Sequence, residues 1–430
     1  MPVFLGSSDA DFDARFDELL GSKREASVEV GDTVARIIAD VREKGDAAVL
    51  ALTEKFDGQS LTPETMRFSD TEIDAAYRDV PADVRSALEL AHERITAHHE
   101  KQLPNDHIYQ DHLGVTLGTR WTAIEAVGLY VPGGLASYPS SVLMNAVPAK
   151  VAGVDRLAMV VPTPKGVVNP AILAAARIAG VTEIYRIGGA QAVAALAYGT
   201  ETIAPVYKIV GPGNAYVATA KRQVFGKVGI DMIAGPSEVL VIADDSANPT
   251  WVAADLIAQA EHGAGAQSIL MTTSQKLADA VVAEVERQIA TLRAPENARQ
   301  GWDDFGAVIV IDTLDHAVKL ANRIASEHVE LALDDPHPMI PRIRNAGAIF
   351  VGHHTPEAIG DYVGGSNHVL PTARSARFAS GLGVLDFVKR TSILQCPPDA
   401  LSELAKATVS LAESEGLEGH GRSVSIRLNR

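Results

Sequence analysis

Residues Ala126-Val127-Gly128-Leu129-Tyr130-Val131 form a continuous apolar run, and the glycine-rich segment Pro132-Gly133-Gly134 separates this run from a helical pattern between Ser141 and Val151. A short apolar run bounded by turn residues is typical of a strand that is buried on both faces. A strand, a tight turn and a helix in this order make the first half of a βαβ unit. The segment therefore predicts a parallel sheet with helices packed on it.

The same alternation of strands and helices continues along most of the chain. In a first series, further strands are predicted at 157–161, 184–187 and 207–210. A second series is predicted to have strands at 239–242, 268–271, 307–310, 329–333 and 348–351. Strands that alternate with helices of this length indicate a parallel sheet covered on both faces. We therefore predict an α/β fold with two Rossmann-like, doubly wound α/β domains and small helical extensions at the N- and C-termini.

The segments outside these two series are assigned as additions to the domains. Residues 1–24 are acidic and poor in strand signals, so we expect an N-terminal arm. Residues 26–103 show mostly helical periodicity, and strand signals disappear after about residue 385. Residues 399–414 are predicted as an amphipathic helix, and the alternation in 423–427 predicts a short strand. The predicted division is an arm (1–24), a first α/β domain (25–128 with 239–384), a second α/β domain (129–238), and a tail domain (385–430).

The composition is that of an ordinary globular protein with an acidic surface. The chain has 430 residues, of which 47% are hydrophobic and 21% are charged, and its net charge is −16. This charge disfavours nucleic acid and anionic membranes as partners. The start of the chain lacks a signal-peptide pattern, and no apolar run reaches membrane-spanning length. The single cysteine, Cys396, excludes an intrachain disulfide, so we expect a cytoplasmic protein.

Three glycine-rich turns follow predicted strands of the first series. They are Pro132-Gly133-Gly134, Gly188-Gly189-Ala190-Gln191 and Gly211-Pro212-Gly213-Asn214. Each one alone is compatible with plain turn chemistry. Together they should lie at the carboxyl edge of one sheet, where open α/β folds bind ligands. None of them matches the full dinucleotide fingerprint, so a nucleotide would be held in a nonstandard way.

A metal site is suggested by Gln259 and His262, which are three residues apart in a predicted helix and would share one of its faces. Asp361 and His420 could supply two further donors. The alternatives remain open at this point, because Asp361 could cap a turn and His420 could be a solvated residue of a polar tail. The lack of further cysteines excludes a structural zinc site made of thiolates.

Proton-transfer chemistry is suggested by Glu327-His328, an adjacent carboxylate and imidazole at a helix-to-strand junction that we expect to face the active crevice. The alternative is a buried histidine with an ordinary hydrogen-bond partner. His368 lies in a glycine-rich segment and could bind substrate. Cys396 precedes two prolines in a segment without electropositive residues, so we expect no catalytic thiolate there.

Taken together, these segments resemble the histidinol dehydrogenase family from about residue 30 to the C-terminus. The matching motifs include Gly128–Gly134, Gly188–Ala192, Val210–Val217, Ile233–Glu238, Ala260–His262, Ser326–His328, Gly360–Thr372 and Glu415–His420. So many long motifs in one order make the resemblance highly specific.

The resemblance implies a zinc-dependent homodimer that oxidises L-histidinol to L-histidine through an aldehyde with two NAD+. It implies zinc ligation, one ion per site, by Gln259, His262, Asp361 and His420. These four and His328 would contact histidinol, together with Ser237, His368 and Glu415. Tyr130, Gln191 and Asn214 match the NAD contacts of the family. His328 matches the general base, for which we expect a pKa near the working pH, and Glu327 matches the residue that activates water. The C-terminal tail would reach into the partner's site.

Two other hypotheses compete with this one. A relative with the same fold could oxidise a different alcohol, and a metal-dependent hydrolase or binding protein could use the same metal ligands without redox chemistry. Activity on histidinol distinguishes a histidinol dehydrogenase from an enzyme for a different alcohol. The appearance of NADH distinguishes it from a metal-dependent protein without redox chemistry.

Overall fold

A computed structural model describes residues 1–21, 28–133, 138–233, 235–263 and 265–429. The strands in these ranges are, in chain order, β1 (Val3–Gly6), β2 (His107–Gln110), β3 (Thr116–Ala123), β4 (Ala126–Tyr130), β5 (Arg156–Val160), β6 (Glu183–Tyr185), β7 (Lys208–Val210), β8 (Gly229–Ile230), β9 (Glu238–Ala243), β10 (Gln267–Thr272), β11 (Ala307–Val310), β12 (His328–Ala332), β13 (Ala348–Val351) and β14 (Val388–Gln395).

The α-helices in the same ranges are α1 (Phe12–Gly21), α2 (Val28–Lys44), α3 (Asp46–Asp57), α4 (Pro63–Met66), α5 (Asp70–Asp79), α6 (Ala82–Glu100), α7 (Pro139–Val151), α8 (Pro170–Ile178), α9 (Gly189–Tyr198), α10 (Ala215–Val224), α11 (Pro249–Ala260), α12 (Gln275–Ile289), α13 (Pro295–Phe305), α14 (Leu314–Ile324), α15 (Glu357–Tyr362), α16 (Pro398–Ser414) and α17 (Glu418–Ser425). None of these helices is long and apolar enough to cross a membrane.

The larger sheet has six parallel strands in the order β1-β11-β10-β9-β12-β13. Strand β9 shows why it is buried on both faces. Val239 and Val241 pack with α11, α12 and α13, whereas Leu240 and Ile242 pack with α1 and α14 on the other side. Successive side chains of a strand point to opposite faces, so a continuous apolar run suits a sheet between two helical layers.

The smaller parallel sheet has five strands in the order β6-β5-β4-β7-β8. Helices α5, α6, α7 and α8 cover one of its faces, and α2, α3, α9 and α10 cover the other. Two parallel sheets with helices on both faces confirm the predicted α/β fold with two doubly wound, Rossmann-like domains.

Two of the predicted domain boundaries differ from the structure. Helices in residues 28–100 pack on the five-stranded sheet, although the sequence analysis grouped them with the six-stranded sheet. The predicted arm contains β1, which is the edge strand of the six-stranded sheet, and α1, which buries Phe12, Phe16 and Leu19. The reason is the same in both cases. The sequence of an amphipathic helix or of a four-residue strand does not indicate which sheet the element packs against.

The C-terminal region also differs from the prediction. Strand β14 lies beyond residue 385 and pairs with β3, which pairs with β2, in an antiparallel sheet. Most of the β14 side chains are exposed, so the strand carries no apolar pattern that could reveal it. The predicted strand at 423–427 is helical instead. Helix α16 confirms the prediction for 399–414.

A candidate active site between the two parallel sheets

A cavity of about 330 Å³ lies between the two parallel sheets. One wall is the carboxyl edge of the five-stranded sheet, with residues that follow β4, β7 and β8. The opposite wall is the amino edge of the six-stranded sheet, where Ser237 precedes β9 and Glu327 precedes β12. The Glu327-His328 junction therefore faces the cavity as expected. It does so from an amino edge, however, and not from the carboxyl edge at which open α/β sheets usually bind ligands.

The first residue of β9 anchors the two candidate catalytic side chains through its backbone. The Nδ1 atom of His328 lies 3.1 Å from the carbonyl oxygen of Glu238, and the N–H of Glu238 donates to Oε2 of Glu327 at 3.1 Å. Strand β9 pairs with β12, so the sheet itself sets the positions of both side chains. Because a carbonyl oxygen only accepts, the proton of the neutral imidazole is on Nδ1.

The other ring nitrogen of His328 is the free one. Its Nε2 atom is buried and has no hydrogen-bond partner among the described residues, and His328 lines the cavity. Burial lowers the pKa of His328 to about 3, although the sequence analysis expected a value near the working pH. The imidazole is therefore neutral at pH 7, with a lone pair on Nε2. Burial raises the pKa of Glu327 well above its ordinary value.

A group of metal-type ligands lies beside this pair. His262, Glu357 and Asp361 each offer one ligand atom, and these three atoms lie within 4.8 Å of one another. Burial raises the pKa of Asp361 to about 6, and it raises the pKa of Glu357 well above its ordinary value. A bound cation would offset the cost of burying these carboxylates, so the donor set fits a divalent metal such as zinc.

Gln259 adds a further amide donor at the end of α11. It is completely buried, and neither its Oε1 nor its Nε2 has a hydrogen-bond partner among the described residues. A buried amide without a protein partner is costly, which fits a side chain that serves as a metal or substrate ligand. Helix α11 ends at Ala260, so His262 lies in the turn beyond the helix and not on its predicted face.

Glu357 is a further residue of the site that was not predicted from the sequence. It is the first residue of α15, it lines the cavity, and its Oε1 lies 3.4 Å from Nδ1 of His328. The available signal was its spacing of four residues from Asp361, which places two carboxylates on one side of a short helix. The pattern is weak, because acidic pairs at this spacing are common on exposed helices.

Two predicted substrate contacts also lie at the cavity. His368 lines it, with Nδ1 at 3.1 Å from the carbonyl oxygen of Asp361 and Nε2 at 3.5 Å from Oγ of Ser141. Burial lowers the pKa of His368 to about 4, so this imidazole is neutral at pH 7 as well. Ser237 lines the cavity beside Glu327, to which its side chain is hydrogen-bonded.

The tail residues Glu415 and His420 do not line this cavity. Glu415 directly follows α16 and His420 lies in α17, and both side chains are exposed. These two helices pack mainly against each other. Leu411 and Ile426 in the same region expose 64% and 61% of their surface. Within one chain, the structure therefore brings His262 and Asp361 to the site but not His420, and it buries Gln259 in the last turn of α11, three residues before His262.

The three glycine-rich turns lie together at the carboxyl edge of the five-stranded sheet, as predicted. Asn214 lines the cavity and caps α10, where its Oδ1 accepts the N–H groups of Tyr216 and Val217. Tyr130 is buried, and its hydroxyl accepts the N–H of Gly189 at 3.0 Å. Burial raises the pKa of this hydroxyl to about 12. Gln191 is buried in the first turn of α9, and Gly134 lies outside the described residues.

Comparison with known proteins identifies this arrangement. The family model for histidinol dehydrogenase matches residues 21–428. The chain belongs to the histidinol dehydrogenase family.

Relatives within this family are similar over their whole length. Histidinol dehydrogenase of Agrobacterium fabrum (strain C58) is 67% identical over 429 residues, which cover 100% of this chain and 99% of that protein. The enzyme of Rhizobium meliloti (strain 1021) is 65% identical with the same coverage. A crystal structure of histidinol dehydrogenase from Elizabethkingia anophelis has a TM-score of 0.95 at 36% identity, with 100% of this chain and 98% of that chain covered.

Membership of the histidinol dehydrogenase family confirms the resemblance found in the sequence. The chain is an NAD-dependent oxidoreductase of histidine biosynthesis, and its substrate is histidinol. The two competing hypotheses, an enzyme for a different alcohol and a metal-dependent protein without redox chemistry, are thereby excluded.

Proposed function

We propose that this chain oxidises L-histidinol to L-histidine through L-histidinaldehyde, with two NAD+ per turnover and one zinc ion per site. The observation that carries the proposal is the free Nε2 of a neutral, buried His328, which lies in a cavity that is also lined by a cluster of metal-type ligands. A base and a substrate-orienting metal site within one cavity suit the oxidation of an amino alcohol that carries an imidazole.

His328 is the proposed base in the alcohol oxidation. Hydride can leave the carbinol carbon only as the hydroxyl proton is removed, and Nε2 has the lone pair to accept that proton. The Nδ1–H remains bonded to the carbonyl oxygen of Glu238 during this transfer. The imidazolium that forms lies 3.4 Å from Oε1 of Glu357, whose charge stabilises it.

Glu327 is the proposed base for the second half of the reaction. The aldehyde must gain water before a second hydride can leave, and the ionised carboxylate would take a proton from that water. Burial raises the pKa of Glu327, which makes the ionised carboxylate a stronger base than an exposed one. No thiol is required in this route, and Cys396 lies at the end of β14, outside the set of residues that line the cavity.

Gln259, His262 and Asp361 are the proposed zinc ligands in each chain, with His420 of the partner subunit as the fourth. When bound, zinc would supply Lewis-acid binding and orientation of the imidazole and amino nitrogens of histidinol. Ser237 and His368 would make further substrate contacts from within the same cavity, and Glu415 of the partner subunit would add another. The position of Glu357 in the cluster also allows it to balance the charge of the ion.

The five-stranded sheet is the proposed NAD-binding unit, with Tyr130, Gln191 and Asn214 as contacts on its glycine-rich turns. NAD+ would supply the hydride acceptor. Asn214 lines the same cavity as His328, which supports a role of this turn in holding the cofactor near the proposed base. The buried Tyr130 would act mainly by holding Gly189, because its hydroxyl is bonded to that N–H.

We propose a homodimer with shared active sites because the predicted contribution of the tail to the site is unmet within one chain. Glu415 and His420 are exposed outside the cavity, in a tail region that also exposes apolar side chains such as Leu411 and Ile426. A second copy that covers these side chains would bring its tail toward the cavity of the first. The expected cytoplasmic location remains a prediction.

Substrate comparison tests the proposal. L-Histidinol should reduce NAD+ with L-histidine as the product, whereas amino alcohols in which a phenyl ring replaces the imidazole should be poor substrates. When the phenyl analogue is added to the reaction with histidinol, it should also compete only weakly with histidinol. Comparable rates on both alcohols would contradict recognition through the imidazole, and NADH formation that does not depend on added zinc after chelation would contradict the metal site.

A further inference from the structure

A buried ion pair lies behind the glycine-rich turn at the end of β7, outside the proposed catalytic and metal-binding residues. Lys221 belongs to α10, and Asp231 follows β8. Their side chains are only 3% and 1% exposed, and the Nζ atom forms an ion pair with Oδ1 of Asp231. Burying two charges generally costs about as much as their attraction returns, so such a pair is weak support for a purely stabilising role.

Both members of the pair bind the backbone of one residue. Nζ of Lys221 donates to the carbonyl oxygen of Gly211 at 2.9 Å, and Oδ2 of Asp231 accepts the N–H of Gly211 at 2.8 Å. Gly211 has a φ of +116°, and a Cβ at this position would lie 2.1 Å from the carbonyl oxygen of Tyr130. The residue is therefore fixed on three sides, by a cation, by an anion and by the end of β4.

The segment that Gly211 begins is a wall of the cavity. Gly211, Pro212, Gly213 and Asn214 all line it, on the side opposite His328. At the two ends of the turn, Asp231 accepts the N–H of Gly211, and Oδ1 of Asn214 accepts the N–H groups of Tyr216 and Val217 in the first turn of α10. Both ends of the turn are therefore held from within the chain, so the fit of a ligand against this wall depends on where the turn is held.

We propose that Lys221 and Asp231 are positioning residues that hold the Gly211–Asn214 turn in the geometry that receives NAD+. The inference rests on the proposed role of this turn in cofactor binding. The pair acts through the backbone of Gly211, and it ties the turn to α10 on one side and to the end of β8 on the other. Losing it should weaken cofactor binding more than histidinol binding.

The test uses the double variant Lys221→Met/Asp231→Asn in the full-length, zinc-loaded protein. The variant removes both charges together, retains an oxygen that can accept the Gly211 N–H, and leaves the cavity lining similar in shape. NADH affinity is measured by the fluorescence of bound NADH, and histidinol affinity by calorimetry without cofactor. The control is Arg156→Met/Glu183→Leu, which removes an ion pair at the amino ends of β5 and β6 in the same sheet, far from the turn.

The expected result is a Kd for NADH that rises about tenfold in the test variant, as for the loss of one hydrogen bond to a charged group, while the Kd for histidinol changes less than about twofold. The control should bind both ligands like the parent protein. Unchanged NADH affinity in a folded test variant overturns the inference, and so does an equal loss of both ligands. If the parent protein itself does not bind NADH, it is the proposed function that fails.

A second measurement needs no variant. Hydrogen exchange of the peptide that contains Gly211 should be slow in the parent protein before any ligand is added, and NADH should slow it little further. Fast exchange that becomes slow only with NADH would show that the cofactor, and not the ion pair, organises the turn, and this result overturns the inference even if the double variant does not fold.

Discussion

The Nδ1 atom of His328 lies 3.4 Å from Oε1 of Glu357 and 3.1 Å from the carbonyl oxygen of Glu238. Both neighbours accept hydrogen bonds, so they keep the proton of the neutral ring on Nδ1 and leave Nε2 as the atom that can accept a proton. Glu357 comes from α15, which also carries Asp361. One short helix therefore contributes to the orientation of the proposed base and to the proposed metal site.

Glu357→Gln should lower kcat by about ten- to a hundredfold, because an amide cannot stabilise the imidazolium of His328 as a carboxylate does. The KM for NAD+ should change little. The measurement is steady-state kinetics with both substrates varied. Glu261→Gln is the matched control, because Glu261 is an exposed acid beside His262, and it should behave like the parent protein. A Glu357→Gln enzyme with normal kcat would contradict the orienting role.

His262→Asn should lose zinc and activity and still fold, because His262 is exposed at the cavity and contributes little to the core. The metal content of the purified protein checks the loss of zinc. Thermal unfolding of the metal-free forms checks that the variant still folds. His354→Asn is the control, since His354 packs against Trp251 with ring centroids 5.1 Å apart and does not line the cavity. Full activity of a zinc-free His262→Asn protein would exclude the proposed metal site.

Glu327→Gln and His328→Asn should each slow turnover by on the order of a hundred- to ten-thousand-fold, the usual cost of losing an acid–base group. If Glu327 activates water, its variant should oxidise histidinol to the aldehyde better than it oxidises the aldehyde to histidine. Single-turnover measurements with each substrate separate the two steps. Cys396→Ser serves as a nearly silent control, and an equal loss in both steps of the Glu327 variant would refute this division of roles.

Much of the fold could be predicted because its central strands are buried on both faces. Residues such as Val239, Leu240, Val241 and Ile242 form an apolar run with no alternative placement in a soluble domain. Strand β14 could not be predicted, because its side chains are mostly exposed and its partner, β3, lies more than two hundred residues earlier in the chain.

The site was predictable to the extent that chemistry requires particular residue types in recognisable motifs. Seven of the predicted residues, among them His262, His328 and Asp361, line the cavity. The direction of their pKa shifts could not be predicted. The low pKa of His328 arises from burial by segments that are distant in sequence, and only the folded chain determines that burial.

Mixing two inactive chains tests the proposed sharing of active sites. In a dimer of one His262→Asn chain and one His420→Asn chain, one site would carry both defects and the other neither, so activity should return. Native mass spectrometry confirms that mixed dimers form. Verified mixed dimers without activity would show that His420 serves its own chain or does not bind the metal.

The number of NADH molecules formed for each histidinol consumed tests the central claim most directly, namely that one site completes both oxidations. With limiting L-histidinol and excess NAD+, the account predicts two NADH and one L-histidine for each histidinol. A ratio of one NADH, with L-histidinaldehyde accumulating in solution, would contradict it.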